Sequence, residues 1–88
     1  GNVHRLLMGL LFDGPQQVDT GAEVKIMADT GLVHAGAITS VTYSFALRRT
    51  IALAMLQRVH AEAGKSVEVG LLTAEVSAVP FFFPTARY

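Results

Sequence analysis

The chain has 88 residues, of which 51% are hydrophobic and 16% charged, with seven basic and seven acidic side chains and no cysteine. One domain fits that length. Balanced charge argues against a nucleic-acid binder, which needs a basic stripe, and the lack of cysteine excludes a disulfide framework and thiolate chemistry. The longest apolar runs, residues 6–12 and 51–56, fall well short of the ~20 residues of a membrane-spanning helix. The charged fraction lies below the ordinary ~25%. A small domain so poor in charge is expected to expose an apolar patch to a partner, and zero net charge favours self-association. No secretory leader is visible, and a chain without cysteine suits a reducing, cytoplasmic compartment.

Residues 3–12 read as a first strand, nearly all apolar after Arg5, as expected of a strand buried on both faces or set in a barrel wall. Asp13-Gly14-Pro15 ends it, and a polar loop runs to Ala22. Residues 23–28 alternate polar and apolar through Ile26, the pattern of a half-buried strand. Asp29-Thr30-Gly31 is a tight turn, and residues 33–43, rich in β-branched side chains, form the returning strand of a hairpin. Residues 44–50 are a loop. The run 51–56 is helix or strand on its own, since alanine, leucine and methionine dominate a short stretch. Residues 57–63 have the polar character of one helical turn stopped by Gly64. Residues 65–71 and 73–79 alternate as two further strands around an irregular turn at Gly70-Leu71-Leu72, and Pro80 ends pairing. About six strands with short connections predict an all-β antiparallel barrel or sandwich.

Few residues suggest chemistry. Asp29-Thr30-Gly31 matches the triplet of dimeric aspartic proteases, in which two carboxylates share a proton. The same triplet is an ordinary hairpin turn, and Leu32 follows it where a small or polar residue is usual, so the turn reading takes precedence. His4, His34 and His60 have no metal-ligand spacing, and no metal is expected. Arg48-Arg49 could fork onto a carboxylate or phosphate, but exposed loop charge is normally solvated. Tyr43 ends a strand with a hydroxyl free for a ligand or for water. Phe81-Phe82-Phe83 cannot all point inward from one strand, so this segment wraps the barrel or meets a partner.

Several segments stand in a set order: Arg5-Leu6-Leu7-Met8-Gly9-Leu10, Asp13-Gly14, residues 21–24, Gly36-Ala37-Ile38-Thr39-Ser40, Ser44 with Leu47, Ile51-Ala52-Leu53-Ala54, then Gly64, Val67, Val69 and Val79-Pro80-Phe81. Together they resemble the C-terminal barrel domain of the glycine-cleavage T-protein (aminomethyltransferase) family. Its corresponding motifs include Arg-x-Leu-Val-Gly-Leu, Gly-x-Val-Thr-Ser and Ile-Ala-Leu-Ala. The resemblance covers nearly the whole chain, and the tail at Phe83-Pro84-Thr85 and Tyr88 shares it. Val41 stands where the family has glycine, Phe45 where it has proline, and Arg48 where it commonly has glycine. Such positions fix special backbone angles.

The resemblance implies a small antiparallel six-stranded β-barrel, with 51–56 as a strand and one helical turn near 57–63. It implies a non-catalytic domain that packs on the folate-binding domain of a larger protein and helps close its pocket. Tetrahydrofolate would be bound through that N-terminal region, which also holds the catalytic aspartate, and no cofactor is expected on this chain alone. No catalytic residue carries over. Tyr43 and Arg87 are the candidate folate-side contacts, chosen as polar groups beside apolar segments. The alternatives are a standalone interaction module or homodimer using the aromatic tail and, third, an aspartic protease dimer built on Asp29. Neither nucleic acid nor membrane is an expected partner.

Overall fold

Val24 and Ile26 are buried while Glu23, Lys25 and Met27 are exposed, so the alternation in the sequence is the alternation of one strand between core and solvent. The same rule builds the rest of the computed structural model, which describes residues 4–78. The strands are β1 (Arg5–Phe12), β2 (Glu23–Ala28), β3 (Gly31–Ser44), β4 (Arg49–Gln57), β5 (Ser66–Val69) and β6 (Leu72–Ser77). A 3₁₀ turn, Arg58–His60, follows β4 where one helical turn was expected. All neighbours are antiparallel, and the order β1-β4-β3-β2-β5-β6 closes into a barrel. The run 51–56 lies inside β4 and is strand.

β2, β3 and β4 are joined as hairpins, and β1 lies beside β4 through the long connection 13–22, a Greek-key arrangement. That connection is fixed at both ends. The buried Thr50 hydroxyl accepts from Gln16 N–H and donates to Gln16 O, both at 2.8 Å. Ile38 exchanges backbone hydrogen bonds with Gly21 and Ala22. Arg49 Nε donates to Phe12 O at 2.6 Å, tying the end of β1 to the start of β4.

β3 serves two neighbours by carrying two extra residues. Val24 pairs with Gly36 and Lys25 with His34, which leaves Ala35 over; Ile38 pairs with Ala54 and Ser40 with Leu53, which leaves Thr39 over. Bulges of this kind bend a strand and raise its twist. Between them Gly36 faces Leu56 so closely that a Cβ there would overlap the Met55 carbonyl oxygen and sit 2.9 Å from Leu56 Cα. The Thr39 hydroxyl donates to Leu53 O at 3.1 Å.

Inward residues of all six strands fill the barrel: Leu10, Phe12, Val24, Ile38, Ala54, Leu56, Val67 and Val76 among them. Val18 and Ala22 of the 13–22 connection pack against that core. Burial on both faces of β1 holds only in part, because Leu7 is exposed and Leu11 half-buried. The ring is thinnest between β2 and β5, where Lys25 and Glu68 form the one bridging pair among the described residues.

The turns differ from the sequence expectation mainly by being shorter. Val69 pairs with Leu72, so Gly70-Leu71 is a two-residue turn. Gly70 has φ +62° and Leu71 is not in the positive-φ region, the combination that a type II′ turn requires. The loop expected over 44–50 contracts to 45–48, because Ser44 pairs with Arg49. Arg48 is the one non-glycine with positive φ among the described residues, at +57°. A left-handed conformation costs a side-chain-bearing residue roughly 1–2 kcal/mol. Arg48→Gly is therefore expected to stabilise the barrel by about 0.5–1 kcal/mol after the extra unfolded-state entropy of glycine is subtracted. Chemical denaturation would read this as a higher midpoint at unchanged slope; a lower midpoint would contradict it.

Candidate functional site

A broad concavity is assembled by strand register from residues far apart in sequence. Arg5 pairs with Gln57 across β1 and β4, and Arg58 N–H donates to His4 O at 2.7 Å. Gly36 pairs with Leu56, so the antiparallel course of β3 carries His34 toward the level of Arg58. The resulting groove measures ≈ 1090 Å³ on the outer face of β1, β4 and β3. Its floor is Met55 with Gly36 and Ala37, and the low relief of those two small residues makes it a groove. The turn carrying Arg58 and Val59 forms one wall, and His34 and Thr39 line the β3 side.

Two guanidinium groups and two imidazoles, Arg5, Arg58, His4 and His34, line this groove, and among the described residues no carboxylate does. Glu23 sits beyond its edge, where it accepts from His34 Nδ1 at 2.8 Å and lies 3.9 Å from Lys25 Nζ. Among the described residues neither Arg5 nor Arg58 has an ion-pair partner. Such a surface attracts anions. Among the described residues its lining pairs no nucleophile with a base of the kind covalent catalysis needs. A smaller concavity of ≈ 300 Å³ lies at the β2–β5 junction, between Lys25 and Glu68 and beside Leu32.

The third exposed feature is the β3–β4 hairpin. Ser44 Oγ accepts from Leu47 N–H at 3.1 Å and Ser44 O accepts from Arg48 N–H at 2.7 Å, which closes the four-residue turn. Phe45 is 86% exposed, and its ring meets Tyr43 edge-on with centroids 5.0 Å apart.

Of the candidate contacts read from the sequence, Tyr43 is half-buried at this hairpin and Arg87 lies outside the described residues. Tyr43 pairs with Thr50 at the start of β4, roughly 20 Å along that strand from the Gln57 end of the groove. The structure therefore does not bring Tyr43 to the groove. The Arg48-Arg49 pair splits: Arg48 is exposed in the turn, while Arg49 is engaged with Phe12 O. Asp29 occupies the exposed β2–β3 turn, with Gly31 after it at φ +118°, as the hairpin reading requires. A protease dyad needs its carboxylate facing a second one in a shared site. The Phe81-Phe82-Phe83 segment lies outside the described residues. His4 and His34 meet around one groove although no sequence spacing connects them; only the β1-β4-β3 order does. Among the described residues no group of three or more His, Cys, Asp or Glu could hold a metal ion. No helix among them is long and apolar enough to cross a membrane.

The closed six-stranded barrel, with Gly36 and Thr39 in structural positions within the Gly36–Ser40 motif, agrees with a family comparison. The family model of the glycine cleavage T-protein C-terminal barrel domain matches residues 5–83. The chain belongs to that family. No curated protein matches the chain. Membership makes sense of the T-protein barrel's motif residue by residue. Gly36 permits the close approach to β4, Ile38 fills the core, Thr39 caps a bulge and Ser44 closes the hairpin turn onto Leu47.

Proposed function

We propose that this T-protein barrel is a non-catalytic domain of a tetrahydrofolate-dependent, aminomethyltransferase-like protein, one that packs on the folate-binding domain and helps close its pocket. Membership of the T-protein barrel family across residues 5–83 carries this reading. Two surface features support it. Met55 and Val59 are exposed apolar groups within the groove, Leu7 is exposed beside Met55 on β1, and an aromatic hairpin tip projects at the opposite end of β4. Exposed apolar groups in a small domain are what a permanent neighbour would cover. On this reading Tyr43 lies on the folate side and Arg87 contributes from the C-terminal segment, while tetrahydrofolate is held by the neighbouring domain.

The test supplies the folate-binding region of an aminomethyltransferase in trans. The barrel is expected to co-elute with it and to tighten its tetrahydrofolate affinity. The barrel alone is expected to show neither turnover nor tight folate binding. Methyl or aminomethyl transfer by the isolated chain, or micromolar tetrahydrofolate binding by it, would overturn the proposal.

A further inference from the structure

The groove on β1, β4 and β3 has a charge pattern that the pocket-closing role does not by itself demand. We propose that it docks an acidic protein segment in extended conformation, and that Arg5 and Arg58 are its principal contacts. Assigning that segment to the folate-binding domain rests on the reading above; the groove's preference for an acidic peptide does not.

Three observations carry this. First, the register places His4 and Arg5, then Gln57 and Arg58, then His34, in one row across three adjacent strands. Strands lie ~4.8 Å apart, so the row spans roughly 10 Å from β1 to β3. Side chains at i and i+2 of an extended peptide are separated by roughly 6.6 Å and share a face. Two carboxylates at that spacing engage Arg5 on β1 and Arg58 at the end of the neighbouring β4 together, while the β3 end of the row, His34, is held by Glu23. Second, the charge is segregated. Among the described residues the lining has two arginines and no acid, while the chain as a whole carries equal numbers of each sign. Complementary charge of this kind directs encounter and excludes basic partners. Third, Met55 and Ala37 give the groove an apolar floor, which a peptide backbone and its aliphatic stems cover and a hydrated phosphate does not.

Guanidinium forks match carboxylates in a bidentate geometry, so the two arginines are not replaceable by lysine without loss. Both are exposed, so changing them leaves the barrel core intact. Glu23 holds His34 from outside the groove and shapes its rim without entering the lining.

The experiment titrates the full chain with a short capped oligoglutamate peptide, with capped oligoserine and inorganic phosphate as comparison probes, reading amide shifts by NMR. The glutamate peptide is expected to bind and to move the amides of Ala37, Met55, Gln57 and Arg58. Binding should weaken severalfold when salt is raised to about 0.5 M. Arg5→Glu with Arg58→Glu should weaken it at least about tenfold, since like charges then face one another. Lys65→Glu, a charge reversal away from the groove and half the double variant's total change, should leave it unchanged, and Arg58→Glu alone, its equal in charge, should weaken it; thermal melts confirm folding of each variant. Several outcomes would overturn the docking proposal: equal binding of phosphate, loss of binding in the Lys65 variant as well, shifts confined to the hairpin, or a sedimenting dimer that only the Arg5/Arg58 variant dissociates. None of these touches the trans-complementation result, so the two readings fail separately.

Discussion

Gly36→Ala is expected to destabilise the barrel by about 3 kcal/mol or more, at the upper end of overpacking changes. The added methyl would overlap the Met55 carbonyl oxygen and approach Leu56 Cα. Both are backbone atoms of the paired strand, so no side-chain rotation relieves the contact. β3 must move away from β4 along the stretch that lies between its two bulges. Domains of this size lose ~4–8 °C of melting temperature per kcal/mol, so a fall of roughly 12–24 °C should be seen. A loss under about 1 kcal/mol would show that the two strands part without cost, against the close packing described.

Phe12→Ala should be of similar size, about 3–5 kcal/mol, for the opposite reason. Phe12 is fully buried and pairs across β1 and β6 with Ala74, a large residue set against a small one. Truncation removes the bulk that fills this position, and Ala74 offers nothing to take its place. Phe45→Ala provides the contrast. That ring is 86% exposed on the hairpin, and its loss should change stability by no more than about 0.5 kcal/mol. Denaturant midpoints of the two variants measured side by side decide the matter. If Phe45 proves as important as Phe12, the hairpin is packed rather than projecting.

Much of this architecture could be read before any fold was in hand. The alternation over residues 23–26 marks that strand, because one of its faces is buried and the other wet; it lapses at Met27 and Ala28, which are both exposed. The run 51–56 was ambiguous in isolation. Its strand state depends on pairing with β1 on one side and β3 on the other, and neither partner is local. Loop ends were read too long because tight turns place their flanking residues in the ladder, as Ser44 with Arg49 and Val69 with Leu72. The replacement of a family glycine by Arg48 was visible in the sequence, and the positive φ found there is its physical meaning. The groove was not legible. His4, His34 and Arg58 are remote from one another along the chain, and the Greek-key return of β1 beside β4 is what gathers them. The Tyr43 hydroxyl is a property of one residue and legible in the sequence, whereas the groove is a property of neighbours.

The thin β2–β5 junction has its own consequence. A hoop under load parts at its weakest weld, and here that weld is a cationic residue, Lys25, set against an anionic one, Glu68. Once parted, the sheet would present two raw margins able to template pairing with other molecules. Lys25 thus stands where a lysine also deters such pairing, since charge on a strand margin repels an incoming chain. The same pair that completes the circle guards the gap when the circle opens.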